Sequence, residues 1–147
     1  MMEVTFEIAG EPRGKGRPRF RRIGNSVQTY TPKETTDYEL AVKQAYLRQC
    51  GGIYFENNVG LDVRIVAYFG IPKSATKKDR AAMLEHRKRP TKKIDVDNLV
   101  KCLLDAGNGT IYYDDKQVVD LQVRKFYGET PKVVVKIKSI EMEDKHE

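Results

Sequence analysis

The chain has 147 residues, with 27 basic against 21 acidic side chains and a formal net charge of +6. Hydrophobic residues make up 39%, an ordinary share for a folded domain, so wholesale disorder is excluded. No run approaches about 18 uninterrupted apolar residues, which excludes a membrane-spanning helix. Cys50 and Cys102 match no CxxC spacing, so neither a zinc site nor a disulfide framework is expected.

The net charge hides an asymmetry. Segment 11–22 carries Arg13, Lys15, Arg17, Arg19, Arg21 and Arg22 against Glu11 alone. Segment 73–93 carries nine basic residues, among them Arg87, Lys88, Arg89, Lys92 and Lys93, against Asp79 and Glu85. Positive charge gathered into two loops beside a mildly acidic remainder suits a polyphosphate partner. Runs of charge are also the ordinary covering of a solvated surface. Two thiols that need not pair suit a reducing compartment. The N-terminus alternates Val4, Phe6 and Ile8 with polar residues, unlike the apolar block of a signal peptide. A cytoplasmic location is expected.

In chain order, residues 4–8 read as a strand with Val4, Phe6 and Ile8 on one face. Residues 10–25 read as a loop around Gly14, Gly16 and Pro18, lacking the spacing of a nucleotide-binding P-loop. Thr31-Pro32-Lys33-Glu34 reads as a helix start capped by Thr31, the helix running to about Gln49 before Gly51-Gly52. A strand follows at 61–69, then a basic excursion at 72–93 with a short helix near 76–86, then a helix over about 97–106. Two strands, 117–126 and 132–140, join at a turn around Gly128. Val119, Leu121 and Val123 share one face of the first, and Val133, Val135 and Ile137 one face of the second. The expected class is α+β: a single mixed β-sheet of about four strands covered by helices, as one domain over 1–147.

The chemistry concentrates in Ile94-Asp95-Val96-Asp97-Asn98-Leu99-Val100-Lys101, followed by Asp105 and Tyr113-Asp114-Asp115. In an extended segment, Asp95 and Asp97 would aim both carboxylates at one point. Hard divalent cations take oxygen ligands, and Mg²⁺ commonly takes one or two carboxylates plus water and substrate phosphate. Asp97 also stands where the helix should begin and could cap it. Leu99, Val100, Leu103 and Leu104 form the apolar stripe of that helix, and Asp97, Lys101 and Asp105 share another face. Lys101 would offset repulsion between the carboxylates and stabilise charge on a phosphoryl transition state. Asp114 or Asp115 would complete the cluster. Lys125 falls in phase with Val119, Leu121 and Val123, so it either snorkels or reaches the acidic site. Histidines are restricted to His86 in a basic run and His146 near the C-terminus, which leaves no Ser/His or Cys/His pair for nucleophilic catalysis. Metal-assisted hydrolysis remains.

These blocks resemble the RusA family of Holliday-junction resolvases, in its phage-type branch. One carrier of the resemblance is Lys15-Gly16-Arg17-Pro18-Arg19 with Tyr30-Thr31-Pro32. The other is Asp95-Val96-Asp97-Asn98-Leu99, Lys101, Leu104-Asp105-Ala106, Asp114-Asp115 and Gln117-Val118-Val119. Gly107-Asn108-Gly109 departs from it, many members carrying a bulkier residue after the Ala. The resemblance implies a RusA-like fold and a homodimeric, Mg²⁺-dependent endodeoxyribonuclease that nicks four-way junctions, with Mn²⁺ as a substitute. It places the metal carboxylates on Asp95, Asp97 and Asp115 and a catalytic lysine on Lys101, with no membrane or small-molecule partner. Arg13–Arg22 and Arg87–Lys93 would track the phosphate backbone of the branched DNA. The alternative is a non-catalytic basic nucleic-acid-binding module whose acidic residues are caps and turns. A transferase that holds a nucleotide diphosphate on Asp-x-Asp is a further reading, disfavoured by the lack of a nucleotide-binding fold. Two opposed nicks need two active sites, hence two chains. The helix at 33–49 is the candidate interface, through Tyr38, Val42, Ala45, Tyr46, Leu40 and Leu47.

Overall fold

A computed structural model describes residues 2–92 and 94–143. Lys93 of the second basic run and His146 lie outside the described residues. The elements are strand β1 (Glu3–Ala9), β2 (Arg19–Ile23), β3 (Ser26–Tyr30), helix α1 (Lys33–Cys50), β4 (Gly60–Gly70), α2 (Lys77–Leu84), α3 (Val96–Gly107), β5 (Val118–Gly128) and β6 (Lys132–Ile140). A mixed four-stranded sheet runs in the order β1-β6-β4-β5, with β4 and β5 parallel and the other pairs antiparallel. Parallel neighbours cannot be joined by a tight turn, and α2 and α3 supply the long crossover. The class is α+β, as expected. Among the described residues no helix is long and apolar enough to cross a membrane.

Alternation sets the two faces of the sheet. Val4, Phe6 and Ile8, Leu61 to Phe69 at every second residue, and Val133, Val135 and Ile137 are buried. They form one core with α1 and α3, in which the Phe6 and Tyr46 rings meet edge-on at 5.1 Å. The opposite face is covered at Phe126, by His86 and Arg89, and elsewhere carries exposed ion pairs such as Lys136–Glu3 and Lys132–Glu7, both 3.1 Å, which contribute little each.

Several expectations change. Residues 19–25, expected within the 10–25 loop, instead belong to a β2–β3 hairpin over 19–30, turned by Gly24-Asn25 with Gly24 at φ +59°. Its strands lack apolar/polar alternation because no core lies beneath them. Thr31 does not cap α1: the cap position is Pro32, without a side-chain hydrogen bond, because its fixed φ already suits helix entry. Tyr38, Val42, Ala45 and Tyr46 are buried in the core, so of the proposed interface residues only Leu40 and Leu47 are exposed. Val119 and Leu121 are likewise exposed: β5 is an edge strand, and a register shift between Leu61 and Asp62 leaves Val119 as the extra, unpaired residue.

Gln117, a buried polar residue, holds the start of β5 in place. Its amide nitrogen donates to the carbonyls of Glu56 at 2.7 Å and Val59 at 3.1 Å, and its amide oxygen accepts from the Asp114 N–H at 2.9 Å. Gln117→Met keeps the volume but removes three hydrogen bonds to buried backbone groups, the Glu56 carbonyl keeping only the Val59 N–H. It should cost about 2–3 kcal/mol and lower the melting temperature by roughly 5–10 °C in a thermal melt.

Candidate active site

Helix α3 carries most of the predicted chemistry. Its apolar stripe, Leu99, Cys102, Leu103 and Ala106, is buried and fixes the rotation of the helix on the sheet. Asp97, Lys101 and Asp105 therefore share a solvent-side row, four residues apart. Lys101 Nζ lies 3.9 Å from Asp105.

The basic loop folds onto this helix. The Lys15 N–H donates to the Asn98 carbonyl at 3.0 Å, and Gly14 packs so closely on Ile94 and Asn98 that a Cβ there would overlap the Ile94 side chain. Lys15 Nζ bridges Glu39 of α1 at 3.0 Å and Asp105 at 3.3 Å. Burial alone would lower the Lys15 pKa, but hydrogen bonds and attraction to Glu39 and Asp105 outweigh it and raise the value. A cleft of about 460 Å³ lies beside the loop, lined by Arg13, Arg17, Arg19, Thr35 and Ile94 among others. Beneath Arg13 the Tyr38 hydroxyl is buried with no hydrogen-bond partner among the described residues.

Asp95 and Asp97 are arranged differently from expectation. Asp95 occupies the cap position of α3 and Asp97 lies inside its first turn, so the alternation of an extended segment does not apply and Asp97 is not the cap. The Asp95 carboxylate accepts from Asn98 Nδ2 at 3.4 Å. Lys125 does not reach a carboxylate. Its Nζ donates to the Ile94 carbonyl at 2.9 Å and lies over the Phe69 ring, fastening the backbone just before Asp95.

The Asp114-Asp115 pair separates into two jobs. Asp114 forms a capping box: its carboxylate accepts from the Lys116 N–H at 3.0 Å and the Gln117 side chain answers its backbone. That backbone hydrogen bond is the main cause of its lowered pKa. Asp115 receives its backbone position from Asn108 Oδ1, which accepts its N–H at 2.8 Å. Its own pKa is raised, by burial first and then by Asp114 and Asp105. Cys102 is fully buried, and burial pushes its thiol up to about 12, which removes it as a nucleophile.

The structure thus brings Lys15, Glu39, Lys101, Asp105 and Asp115 together around the C-terminal half of α3. Asp95 and Asp97 stand at its other end, Asp97 and Asp105 being separated by about 12 Å along the axis. Among the described residues no three His, Cys, Asp or Glu side chains are close enough to hold a metal ion. The donor chemistry suits Mg²⁺, and acidic crowding at Asp115 is what a cation would relieve; the geometry does not gather Asp95, Asp97 and Asp115 into one cage. Sequence reasoning assigned no role of their own to Glu39, Asn108 and Gln117. The first gives no local signal, since its partner comes from another element.

The second basic run differs from the first. Arg87 pairs with Glu85 at 2.8 Å and Lys88 with Asp79 at 3.4 Å. Arg89 stacks on Phe126, its guanidinium carbon 4.3 Å from the ring centre, and donates to the Lys125 carbonyl. Arg13, Arg17, Arg19, Arg21 and Arg22 form no ion pair among the described residues, and neither do Lys73, Lys77, Lys78, Arg89 and Lys92 of the second run.

A raised carboxyl pKa means that folding disfavours the ionised form. The charged Asp115 therefore lowers stability above its folded pKa, and the penalty fades as pH falls through that value toward the ordinary 3.8. Asp115→Asn should melt higher than the parent near neutral pH without metal. The advantage should vanish below pH 3.8, a comparison that paired thermal melts make directly.

Residues 9–138 match the family model of endodeoxyribonuclease RusA. The uncharacterized protein YqaN of Bacillus subtilis (strain 168) is 37% identical over 139 residues, covering 93% of this chain and 96% of that protein. The crossover junction endodeoxyribonuclease rusA of Lactococcus phage r1t is 25% identical over 139 residues, covering 94% and 98% respectively. With the match spanning the basic loop, α3 and the Asp114-Asp115 turn alike, the chain belongs to the RusA family of endodeoxyribonucleases.

Proposed function

We propose that this chain, a single RusA-like domain over residues 1–147, is a Mg²⁺-dependent endodeoxyribonuclease. It resolves four-way DNA junctions by paired nicks, as a cytoplasmic homodimer with neither a membrane nor a small-molecule partner. The observation that carries the reading is the seating of the Lys15 loop on the acidic row of α3, which joins a cationic surface to a carboxylate cluster. Phosphate backbone drawn to the unpaired arginines of the loop would lie beside the carboxylates rather than across the molecule from them. Asp95, Asp97 and Asp115 would hold the ion in the cleaving complex, with substrate phosphate completing its shell; Mn²⁺ would substitute. The ion would supply polarisation of the phosphate and a bound water of lowered pKa. Lys101 would stabilise charge on the phosphate oxygens, Lys15 would keep Asp105 oriented, and Asp114 would hold the turn that presents Asp115.

A binding module without catalysis is the second reading, favoured by the lack of a three-carboxylate cage among the described residues. A synthetic four-way junction, incubated with and without Mg²⁺ beside a linear duplex, separates them. Nicking supports the nuclease, and a mobility shift without nicking supports the module.

Asp95→Asn, Asp97→Asn and Asp115→Asn should each reduce nicking by at least roughly 100-fold while junction binding persists. Asp114→Asn should be milder, since its carboxylate serves the turn. Lys101→Ala should lower turnover by about 10–100-fold with little change in affinity. Single-turnover cleavage beside a binding titration checks all five. Wild-type rates for Asp115→Asn would remove it from the site.

Neutralising Arg17 and Arg19 together should weaken junction binding and flatten its salt dependence by about one unit of slope for each phosphate that is no longer neutralised. Neutralising Arg87 and Lys88 should change the slope less, because each already has an acidic partner. A salt titration of both double variants makes the comparison.

A further inference from the structure

Residues 17–31 form an unbroken exposed run, and strands β2 and β3 pair only with each other. An isolated two-stranded hairpin is marginal in water, so its stability gives no reason to display large apolar side chains. Yet Phe20 is 70% exposed and Val27 66%. Pairing puts Phe20, Arg22, Val27 and Thr29 on one face, with Arg19, Arg21 and Tyr30 on the other. Arg21 already lies over the Tyr30 ring at 5.5 Å, whereas Phe20 has no aromatic or cationic partner among the described residues. No acidic residue occurs from Arg13 to Lys33.

Cations interleaved with an exposed ring fit a polyanion that also offers flat apolar surfaces, which is DNA with unstacked bases. Intact duplex hides those surfaces; a branch point presents them. We propose that the β2–β3 hairpin enters the branch point of the junction, its arginines on flanking phosphates and Phe20 stacked on a base displaced there. The inference rests on the junction-nuclease reading and deepens it, assigning to Phe20 the recognition of branched over linear DNA.

The test uses the full chain as wild type, Phe20→Ser and Phe20→Leu. The probe is a synthetic four-way junction with 2-aminopurine beside the branch point, without divalent ion so that no strand is cut. A linear duplex with the same label is the control. Wild type should raise the junction fluorescence roughly several-fold and leave the duplex signal unchanged. Phe20→Ser should lose the rise and bind the junction about tenfold more weakly while keeping its duplex affinity. Phe20→Leu should keep part of both, because an apolar wedge remains. A Phe20→Ser protein with wild-type fluorescence and junction preference overturns the proposal. So does a fall of its mass by half in light scattering, which would make Phe20 a contact between copies. Wild type that prefers the junction but raises no fluorescence removes the hairpin inference alone. Wild type with no preference for the junction removes the junction reading with it.

Discussion

The ammonium of Lys15, held between Glu39 and Asp105, is the contact on which the arrangement of the site depends. It ties three segments that share no secondary structure: the basic loop, α1 and α3. Each carboxylate is only partly exposed, so the attraction is stronger than at an open surface, and desolvation offsets part of it. The backbone reinforces it. The Gly16 N–H donates to Thr35 Oγ1 at 2.8 Å, so consecutive residues of the loop are fastened to α3 and α1 in turn. Without this anchorage the cationic loop would be a solvated tether. With it, Arg13 and Arg17 are carried on a fixed base beside the acidic row.

The same ion pairing alters the meaning of the charge count. Lys15 belongs to the first basic cluster by sequence, but its charge is neutralised internally, as are those of Arg87 and Lys88 in the second. Among the described residues, five cations of each segment stay without an ion-pair partner: Arg13, Arg17, Arg19, Arg21 and Arg22 in the first, and Lys73, Lys77, Lys78, Arg89 and Lys92 in the second. A count of lysines and arginines along the chain rates the second segment as the more basic; the three-dimensional pairing brings the two level in unpaired cations among the described residues. Long-range attraction depends on the charge left uncompensated.

Much of the fold was legible because it obeys simple periodicities. Val4, Phe6 and Ile8, and Leu61 through Phe69, alternate because one face of their sheet is covered and the other is wet. The apolar stripe of α3 was equally clear, and with it the row of Asp97, Lys101 and Asp105. The hairpin escaped because alternation reports burial, and nothing is buried beneath Arg19–Ile23; the Gly24-Asn25 pair was its one local sign. Val119 and Leu121 misled for the opposite reason, alternating as if covered while lying on an uncovered edge. The relation of Asp95 to Asp97 turned on where α3 begins. Helix boundaries are the least determined feature of a sequence, and a start at Val96 rather than Asp97 changes the geometry between the two carboxylates.

The acidic end of α3 shows why the Asp114-Asp115 pair could not be divided by pattern alone. Both residues suit a turn, and only the hydrogen bonds distinguish them. Asp114 is satisfied: its carboxylate accepts a backbone N–H, and its pKa falls accordingly. Asp115 is placed by Asn108 through its backbone, which leaves its side chain to face Asp114 and Asp105, and its pKa rises. A fold selected for stability alone would replace such a carboxylate with a neutral side chain, since folding gains nothing from crowding acids. Sites that must gather negative charge accept that penalty, because a cation arriving there relieves repulsion already present. By that reasoning, the proposed metal role falls to Asp115 rather than Asp114, which holds the turn. The Gln117 amide, anchored on Glu56 and Val59, carries the support through to the body of the protein.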